Sequence, residues 1–182
     1  MEELFDIEAS PGGAERPFKV IHTADWHLGK TLGDLSREPE HSRFLHFLRD
    51  TITRERAELL IVAGDIFDSA NPPQSALKLY YTFLSELRQR TDCKVLLVAG
   101  NHDSPTGIDA PADLLEALDI QVVGSAPESA EDATLLFPDA RNPKLAVAAL
   151  PFLRDRDLRR GGGSQSTSQI RAALVEGIGN YY

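Results

Sequence analysis

The chain has 182 residues, of which 42% are hydrophobic and 26% are charged, and its formal net charge is −9 at pH 7. These proportions are typical of a globular protein that can bury one sizeable core. The acidic charge is the wrong sign for a protein that holds DNA on a broad basic face. Composition alone therefore favours a small or neutral substrate.

Cysteine content and hydropathy limit the cellular setting. The single cysteine, Cys93, excludes an intrachain disulfide and favours the reducing cytoplasm. We expect it to be a structural free thiol. No apolar run approaches the length of a membrane span, and residues 1–6 are acidic where a signal peptide is basic. The sequence thus predicts a soluble, cytoplasmic protein.

The first 17 residues differ from the rest of the chain. They are acidic and then rich in proline and glycine, which predicts a mobile extension without an assigned function. We expect residues 18–182 to belong to one folded domain that is incomplete at its carboxyl end.

Three apolar runs, at residues 20–27, 59–65 and 95–103, each end in side chains that can bind metal. If the runs are neighbouring strands of one parallel sheet, their carboxyl ends converge on a single crevice. The candidate metal ligands there are Asp25, His27, Asp65 and Asn101. A carboxylate shared by two divalent cations about 3.5 to 4 Å apart is the arrangement that phosphoryl transfer requires. The pattern therefore predicts a two-metal hydrolase.

Each ligand has a predicted role. Asp25 and His27 are two residues apart and would bind a first cation, Asn101 would bind the second, and Asp65 would bridge the two. Mixed imidazole and carboxylate ligation favours manganese, iron or zinc over magnesium or calcium. Manganese is the first choice.

The neighbouring residues His102 and Asp103 have a different predicted role. His102 would face the scissile phosphate and either stabilise its charge or protonate the leaving oxygen. Asp103 would accept a hydrogen bond from the other ring nitrogen of His102. A single Asp after a strand is more often a turn former or helix cap. Three such strand ends in one chain favour the catalytic interpretation.

Apolar side chains recur at helical spacing between the runs, which predicts helices over residues 39–56 and 72–90 that pack on the sheet. The expected buried stripe of the first helix is Phe44, Phe47, Leu48 and Ile52. That of the second is Leu77, Tyr80, Tyr81, Leu84 and Leu87. We expect His41 and His46 on a solvated face, Asn71 as the cap of the second helix, and Asp68 either in the second coordination shell or capping its loop.

Shorter elements are expected after Asp103. They are a helix at 111–118, a strand at 120–123, a loop at 126–132, an antiparallel pair at 134–137 and 145–150, a solvated charged loop at 154–160 and a helix at 170–178. The predicted fold class is α/β, a β-sandwich flanked by helices.

The strings Asp25-x-His27, Gly64-Asp65-x-x-Asp68 and Gly100-Asn101-His102-Asp103 resemble the first three motifs of the calcineurin-like metallophosphoesterases. With the flanking residues 22–30, 71–73 and 150–154, the chain resembles the SbcD-like DNA repair nucleases of that superfamily, from about residue 18 to residue 182. The resemblance implies a manganese-dependent 3′–5′ exonuclease for double-stranded DNA and an endonuclease for single strands and hairpins. It also implies a homodimer within a heterotetramer that contains an SbcC-like ATPase subunit.

One departure from these relatives concerns the metal site. Their later motifs supply three further histidines, whereas no histidine follows His102 here. We therefore expect an incomplete site and little nuclease activity from this chain alone. Two alternatives stay open: a phosphoesterase that acts on a small phosphoester, and a noncatalytic interaction module.

Overall fold

A computed structural model describes residues 16–154 and residue 157. The strands in this part of the chain are β1 (Val20–Thr23), β2 (Thr31–Leu32), β3 (Leu35–Ser36), β4 (Leu59–Ala63), β5 (Lys94–Val98), β6 (Ile120–Val123), β7 (Thr134–Phe137) and β8 (Leu145–Ala148). The helices in the same part are α1 (Glu38–Glu55), α2 (Gln74–Arg90), α3 (Pro105–Asp109), α4 (Ala112–Glu116) and α5 (Ala130–Ala133).

The central element is a four-stranded sheet in the order β1-β4-β5-β6, in which every neighbouring pair is parallel. Leu60 of β4 lies opposite Ile21 on one side and opposite Val95 on the other. Strands β4 and β5 are almost continuously apolar because both faces of the sheet are covered. The prediction of a parallel sheet from three apolar runs, and of an α/β fold, is confirmed.

Helices α1 and α2 pack on one face of this sheet and enclose the larger core. Two predicted core residues are wrong, since Phe47 is 64% exposed and Tyr81 is 42% exposed. The buried residues of α1 are His41, Leu45, Leu48 and Ile52. Those of α2 are Ala76, Tyr80, Phe83, Leu84 and Leu87. Both helices lie where the periodicity placed them, but each buried stripe is rotated relative to the predicted one.

Two other predictions about these helices need correction. Pro73, not Asn71, is the cap residue of α2. His41 is only 6% exposed, so it does not lie on a solvated face, whereas His46 is exposed as expected. His41 is the fourth residue of α1, and in that first turn it lies against the loops that follow the sheet.

The opposite face of the sheet is covered by the β7-β8 hairpin, whose strands pair antiparallel as predicted. Phe137 of β7 is 1% exposed and packs in a second apolar cluster with Leu59 and Leu96. The sheet is therefore sandwiched between helices and a hairpin. Helix α4 is shorter than predicted, and α3 and α5 lie in segments that the sequence had suggested were largely loop.

Three predictions fall wholly or mostly outside the described residues: the extension over residues 1–17, the charged loop over residues 154–160 and the helix over residues 170–178. Among the described residues, no helix combines the length and apolar character needed to cross a bilayer.

Candidate metal centre

The loops that leave β1, β4 and β5 are joined by backbone hydrogen bonds at the carboxyl end of the sheet. Asp25 N donates to the carbonyl oxygen of Gly64 at 3.1 Å, and His27 N donates to that of Asp65 at 2.9 Å. Gly64 N in turn donates to the carbonyl oxygen of Val98 at 2.9 Å. Parallel pairing thus continues past the strand ends, which fixes the positions of the predicted ligands before any ion binds.

Three of those residues have left-handed backbone conformations, with φ of 54° at Asp25, 48° at His27 and 47° at Asp65. Such values are uncommon for non-glycine residues and concentrate at functional sites. Gly100 is required for a different reason, since a Cβ there would lie 2.1 Å from Asp65 Oδ1. The turn after β5 therefore approaches the Asp65 carboxylate as closely as a backbone can.

Asp103 holds the loops after β4 and β5 together. Its side chain is fully buried, and its oxygens accept hydrogen bonds from Ile66 N at 3.1 Å, Phe67 N at 2.9 Å and Gly100 N at 2.8 Å. Two buried donors and one partly buried donor would lack a partner without this carboxylate. Asp103 thus stabilises the two loops that carry the candidate metal ligands Asp65 and Asn101.

Two of the predicted metal ligands, Asp25 and Asp65, each lie close to the His27 ring. His27 Nε2 is 3.8 Å from Asp25 Oδ1 and 3.7 Å from Asp65 Oδ2. Two atoms that each bind one ion at about 2.1 Å can be at most about 4.2 Å apart. Each of the two Asp–His pairs is therefore close enough to share one divalent cation. The site also keeps access to solvent, since the Asp25 side chain is 73% exposed.

His102 lies beside this group. One ligand atom each from His27, Asp65 and His102 lie within 4.8 Å of one another. The two imidazole rings contact edge to face with centroids 5.0 Å apart, and His102 N donates to Asp65 Oδ1 at 3.0 Å. His102 is thus close enough to contact a phosphoryl group bound at the metal position.

Asp68 contacts both histidines. His102 Nδ1 lies 2.8 Å from the carbonyl oxygen of Asp68, and because a carbonyl only accepts, Nδ1 carries a proton and Nε2 is left for other partners. This bond replaces the predicted one between His102 and Asp103. The Asp68 carboxylate lies 3.2 Å from His27 Nδ1, without hydrogen-bond alignment.

The charge of Asp68 is maintained by a lysine. Burial raises the pKa of the Asp68 carboxyl, but a 2.9 Å hydrogen bond from Lys30 Nζ and its positive charge outweigh burial, so that pKa lies below its ordinary value. Asp68 is therefore ionised at neutral pH. An ionised carboxylate beside His27 Nδ1 favours a proton on that nitrogen and leaves Nε2 free for a metal.

Asn101, the predicted ligand of the second cation, is exposed at the turn after β5. It lines a cleft of 570 Å³ together with Asp25 and Asp65. Three of the four predicted metal ligands thus line one opening, and His27 lies within 3.8 Å of two of them.

Comparisons with known proteins agree with this geometry. The family model described as calcineurin-like phosphoesterase matches residues 18–159. The chain belongs to this family. Within the calcineurin-like phosphoesterases, it is 35% identical over 164 residues to the SbcD subunit of the nuclease SbcCD from Escherichia coli strain K12, an alignment that covers 90% of this chain and 40% of that protein.

Two further relatives are nucleases by name. The SbcD subunit from Rhodobacter capsulatus is 36% identical over 174 residues, which covers 88% of this chain and 43% of the relative. The chain therefore spans about two fifths of the length of these curated relatives. A crystal structure of Pseudomonas putida nuclease MPE matches at 29% identity and a TM-score of 0.36, covering 58% of this chain and 48% of that one.

Two contacts of this phosphoesterase site do not follow from the sequence. The sequence predicts that Asp68 supports a metal ligand or caps its loop, but it does not predict contacts with both His27 and His102. Arg154 was assigned to a solvated loop, whereas its Nη2 donates to the carbonyl oxygen of Asp103 at 2.7 Å. No local signal marks such a contact, because the two residues are 51 positions apart in the chain.

Proposed function

We propose that this chain is part of a DNA repair nuclease that hydrolyses phosphodiester bonds with two divalent metal ions. The observation that carries the proposal is the placement of Asp25 Oδ1 and Asp65 Oδ2 within 3.8 Å of one nitrogen of His27. The names of the curated relatives at 35–36% identity support DNA as the substrate.

The proposed roles combine the motif pattern with the contacts of the site. Asp25, His27 and Asp65 would hold one cation, and Asp65 and Asn101 would hold a second. The metals supply charge neutralisation on the phosphoryl oxygens and a nucleophile at neutral pH. His102 presents Nε2 to the phosphoryl group, where a second proton on the ring could be given to the leaving oxygen. Asp103 fixes the loop that carries Asn101 and His102.

The identity of the metal and the partners belong to the same proposal. Ligation by imidazole, carboxylate and amide groups suits manganese, and iron or zinc are the next choices. The relatives' name supports assembly with an SbcC-like ATPase subunit, and we propose a homodimer within that cytoplasmic complex. We also propose that residues 18–182 belong to the phosphoesterase domain and that residues 1–17 form an extension.

A second candidate is hydrolysis of a small phosphoester, which the net charge of −9 favours. An assay with Mn²⁺ distinguishes the two, using linear double-stranded DNA and a nitrophenyl phosphodiester as substrates. It compares this chain with a version extended by the coding sequence that follows Tyr182. We expect DNA cleavage by the extended version and little by the present chain.

An Asp65→Asn variant of the extended version serves as the control for contaminating nuclease. Hydrolysis of the small ester without DNA cleavage would support the second candidate. Inactivity of both versions on both substrates would contradict hydrolysis and support the noncatalytic alternative.

A further inference from the structure

A second cleft lies beside the metal centre and carries a different set of charges. It has a volume of 510 Å³ and shares Asp25 and His27 with the site already described. Its other wall is formed by Lys30, Arg37 and His41. The cleft thus runs from the candidate metal ligands to the amino-terminal end of α1.

The acidic groups of this cleft have partners, whereas one of its cations does not. Asp25 faces His27 and the metal position, and Glu40 forms an ion pair with Arg43 at 3.8 Å. Lys30 donates to Asp68 at 2.9 Å. The exposed Arg37 forms no ion pair with any residue that the structure describes. The cleft therefore offers an unneutralised guanidinium close to the metal centre.

A buried histidine, His41, lies in the wall of the same cleft. It is 94% buried, and its Nδ1 atom is buried without a hydrogen-bond partner among the described residues. Buried polar atoms in folded proteins are almost always paired, because an unpaired one costs about 1 to 3 kcal/mol. The His41 side chain therefore lines the cleft without a hydrogen bond to any described residue. Because Glu38 and Glu40 lie in the first turn of α1, the attraction for an anion comes from Arg37 and Lys30 rather than from the helix dipole.

We propose that this cleft binds a phosphodiester group of the nucleic-acid strand next to the one that is cleaved, with Arg37 as its main contact and Lys30 and His41 beside it. The inference rests on the proposed nuclease function. It explains how a chain with a net negative charge would bind a nucleic-acid strand. A guanidinium forms paired hydrogen bonds to phosphate oxygens. Because the contact is made to a neighbouring phosphate, a small ester would not use it.

Equilibrium binding of a 12-nucleotide single strand to the 182-residue chain tests this subsite. Fluorescence anisotropy is measured in Ca²⁺ over a range of salt concentrations. Arg37→Gln should weaken binding by about fivefold and reduce the slope of log affinity against log salt by about 0.7, the value for one phosphate contact on a single strand. The matched control is Arg54→Gln, which removes the same charge from the opposite end of α1. It should leave the slope unchanged.

The outcomes separate this inference from the function on which it rests. Equal slopes for Arg37→Gln and Arg54→Gln, with binding lost in Asp65→Asn, would overturn the subsite and leave the nuclease proposal standing. Absence of strand binding by the unmodified chain would overturn the subsite, whereas the cleavage assay with the extended version decides the nuclease proposal. The His41 ring is also followed by NMR during a titration with inorganic phosphate. Binding of phosphate as tight as binding of the strand would assign the cleft to free phosphate and overturn the strand assignment.

Discussion

The two ends of the parallel sheet both carry charged side chains, but the charges are balanced in different ways. At the amino end, Asp119 accepts hydrogen bonds from Arg88 Nη2 at 3.0 Å and from Lys94 Nζ at 2.5 Å. At the carboxyl end, neither Asp25 nor Asp65 forms an ion pair with a lysine or arginine of the described chain. The first cluster is neutralised by the protein itself, and the second is not.

This difference separates a structural ion cluster from a functional one. Residues at both ends use left-handed backbone, since Asp119 has a φ of 57° and Asp65 one of 47°. Unusual backbone alone therefore does not identify the site. Carboxylates without a lysine or arginine partner, next to imidazole nitrogens, are the groups that bind an external divalent cation. Four predictions test this contrast.

The largest effect is expected for Asp103→Ala at the carboxyl end. Two buried backbone N–H groups and one partly buried one would lose their acceptor, which should lower the free energy of unfolding by about 3 to 5 kcal/mol. Urea unfolding followed by circular dichroism measures it. Asp103→Asn keeps one acceptor oxygen and should lose less. A loss below about 1 kcal/mol for the alanine variant would show that the loops after β4 and β5 do not depend on this side chain.

Asp65→Asn should act on metal affinity rather than on stability. Outer-shell partners of metal ligands already contribute about 10- to 100-fold in affinity, so loss of a direct ligand should cost at least about 100-fold in Mn²⁺ binding. The asparagine keeps an oxygen for the 3.0 Å hydrogen bond from His102 N. Titration with Mn²⁺, monitored by electron paramagnetic resonance, measures the change, and Asp119→Asn should bind like the unmodified chain. Equal affinity in all three would contradict the assignment of Asp65.

Cys93 at the amino end should make stability depend on alkaline pH. Burial raises the pKa of its thiol from 9.0 to about 12, despite the positive charge of Arg88. Since the folded state keeps the proton and the unfolded state loses it, this contribution is complete below pH 9 and is lost as pH rises towards 12. The loss should approach about 1.4 kcal/mol per pH unit in that range. Urea unfolding at pH 8 and 10.5 measures the free energy of unfolding of the original chain and of Cys93→Ala. An equal loss of stability in the two proteins between these pH values would contradict the prediction.

The smallest effect is expected for Asp119→Asn. The hydrogen bond and charge of Lys94 outweigh partial burial and hold the pKa of this carboxyl below 3.8. Its contribution is therefore present above pH 3.8 and is lost as pH falls through the lower pKa of the folded state. Because the side chain is 48% exposed, the variant should lose only about 0.5 kcal/mol at pH 6. The difference between the two proteins should shrink as pH falls below 3.8, and a difference that stays constant there would contradict this origin.

Much of the fold was predictable because it depends on local periodicity. The continuous apolar runs of β4 and β5 indicated strands covered on both faces, and the turn at residues 138–143 indicated the β7-β8 hairpin. The side chains that contact the sheet were harder to predict. Phe47 and Leu48 are adjacent in α1, and only tertiary packing decides that Leu48 is buried and Phe47 exposed.

The candidate site was predictable to the level of its residues but not of its contacts. Position after a strand was enough to bring Asp25, His27 and Asp65 together, since parallel strands end at the same edge. The partner of the His102 ring could not be predicted, because it is the backbone carbonyl of Asp68 and every residue carries a carbonyl. Contacts to the main chain leave no compositional trace.

The left-handed residues of the site have a consequence for mutagenesis. At Asp25, His27 and Asp65, alanine would remove the functional group and also impose about 1 to 2 kcal/mol of conformational cost, because its Cβ disfavours positive φ. An alanine scan here would mix two kinds of damage. Asparagine tolerates this backbone geometry, so replacement by asparagine isolates the chemistry of each side chain from the shape of the main chain that supports it.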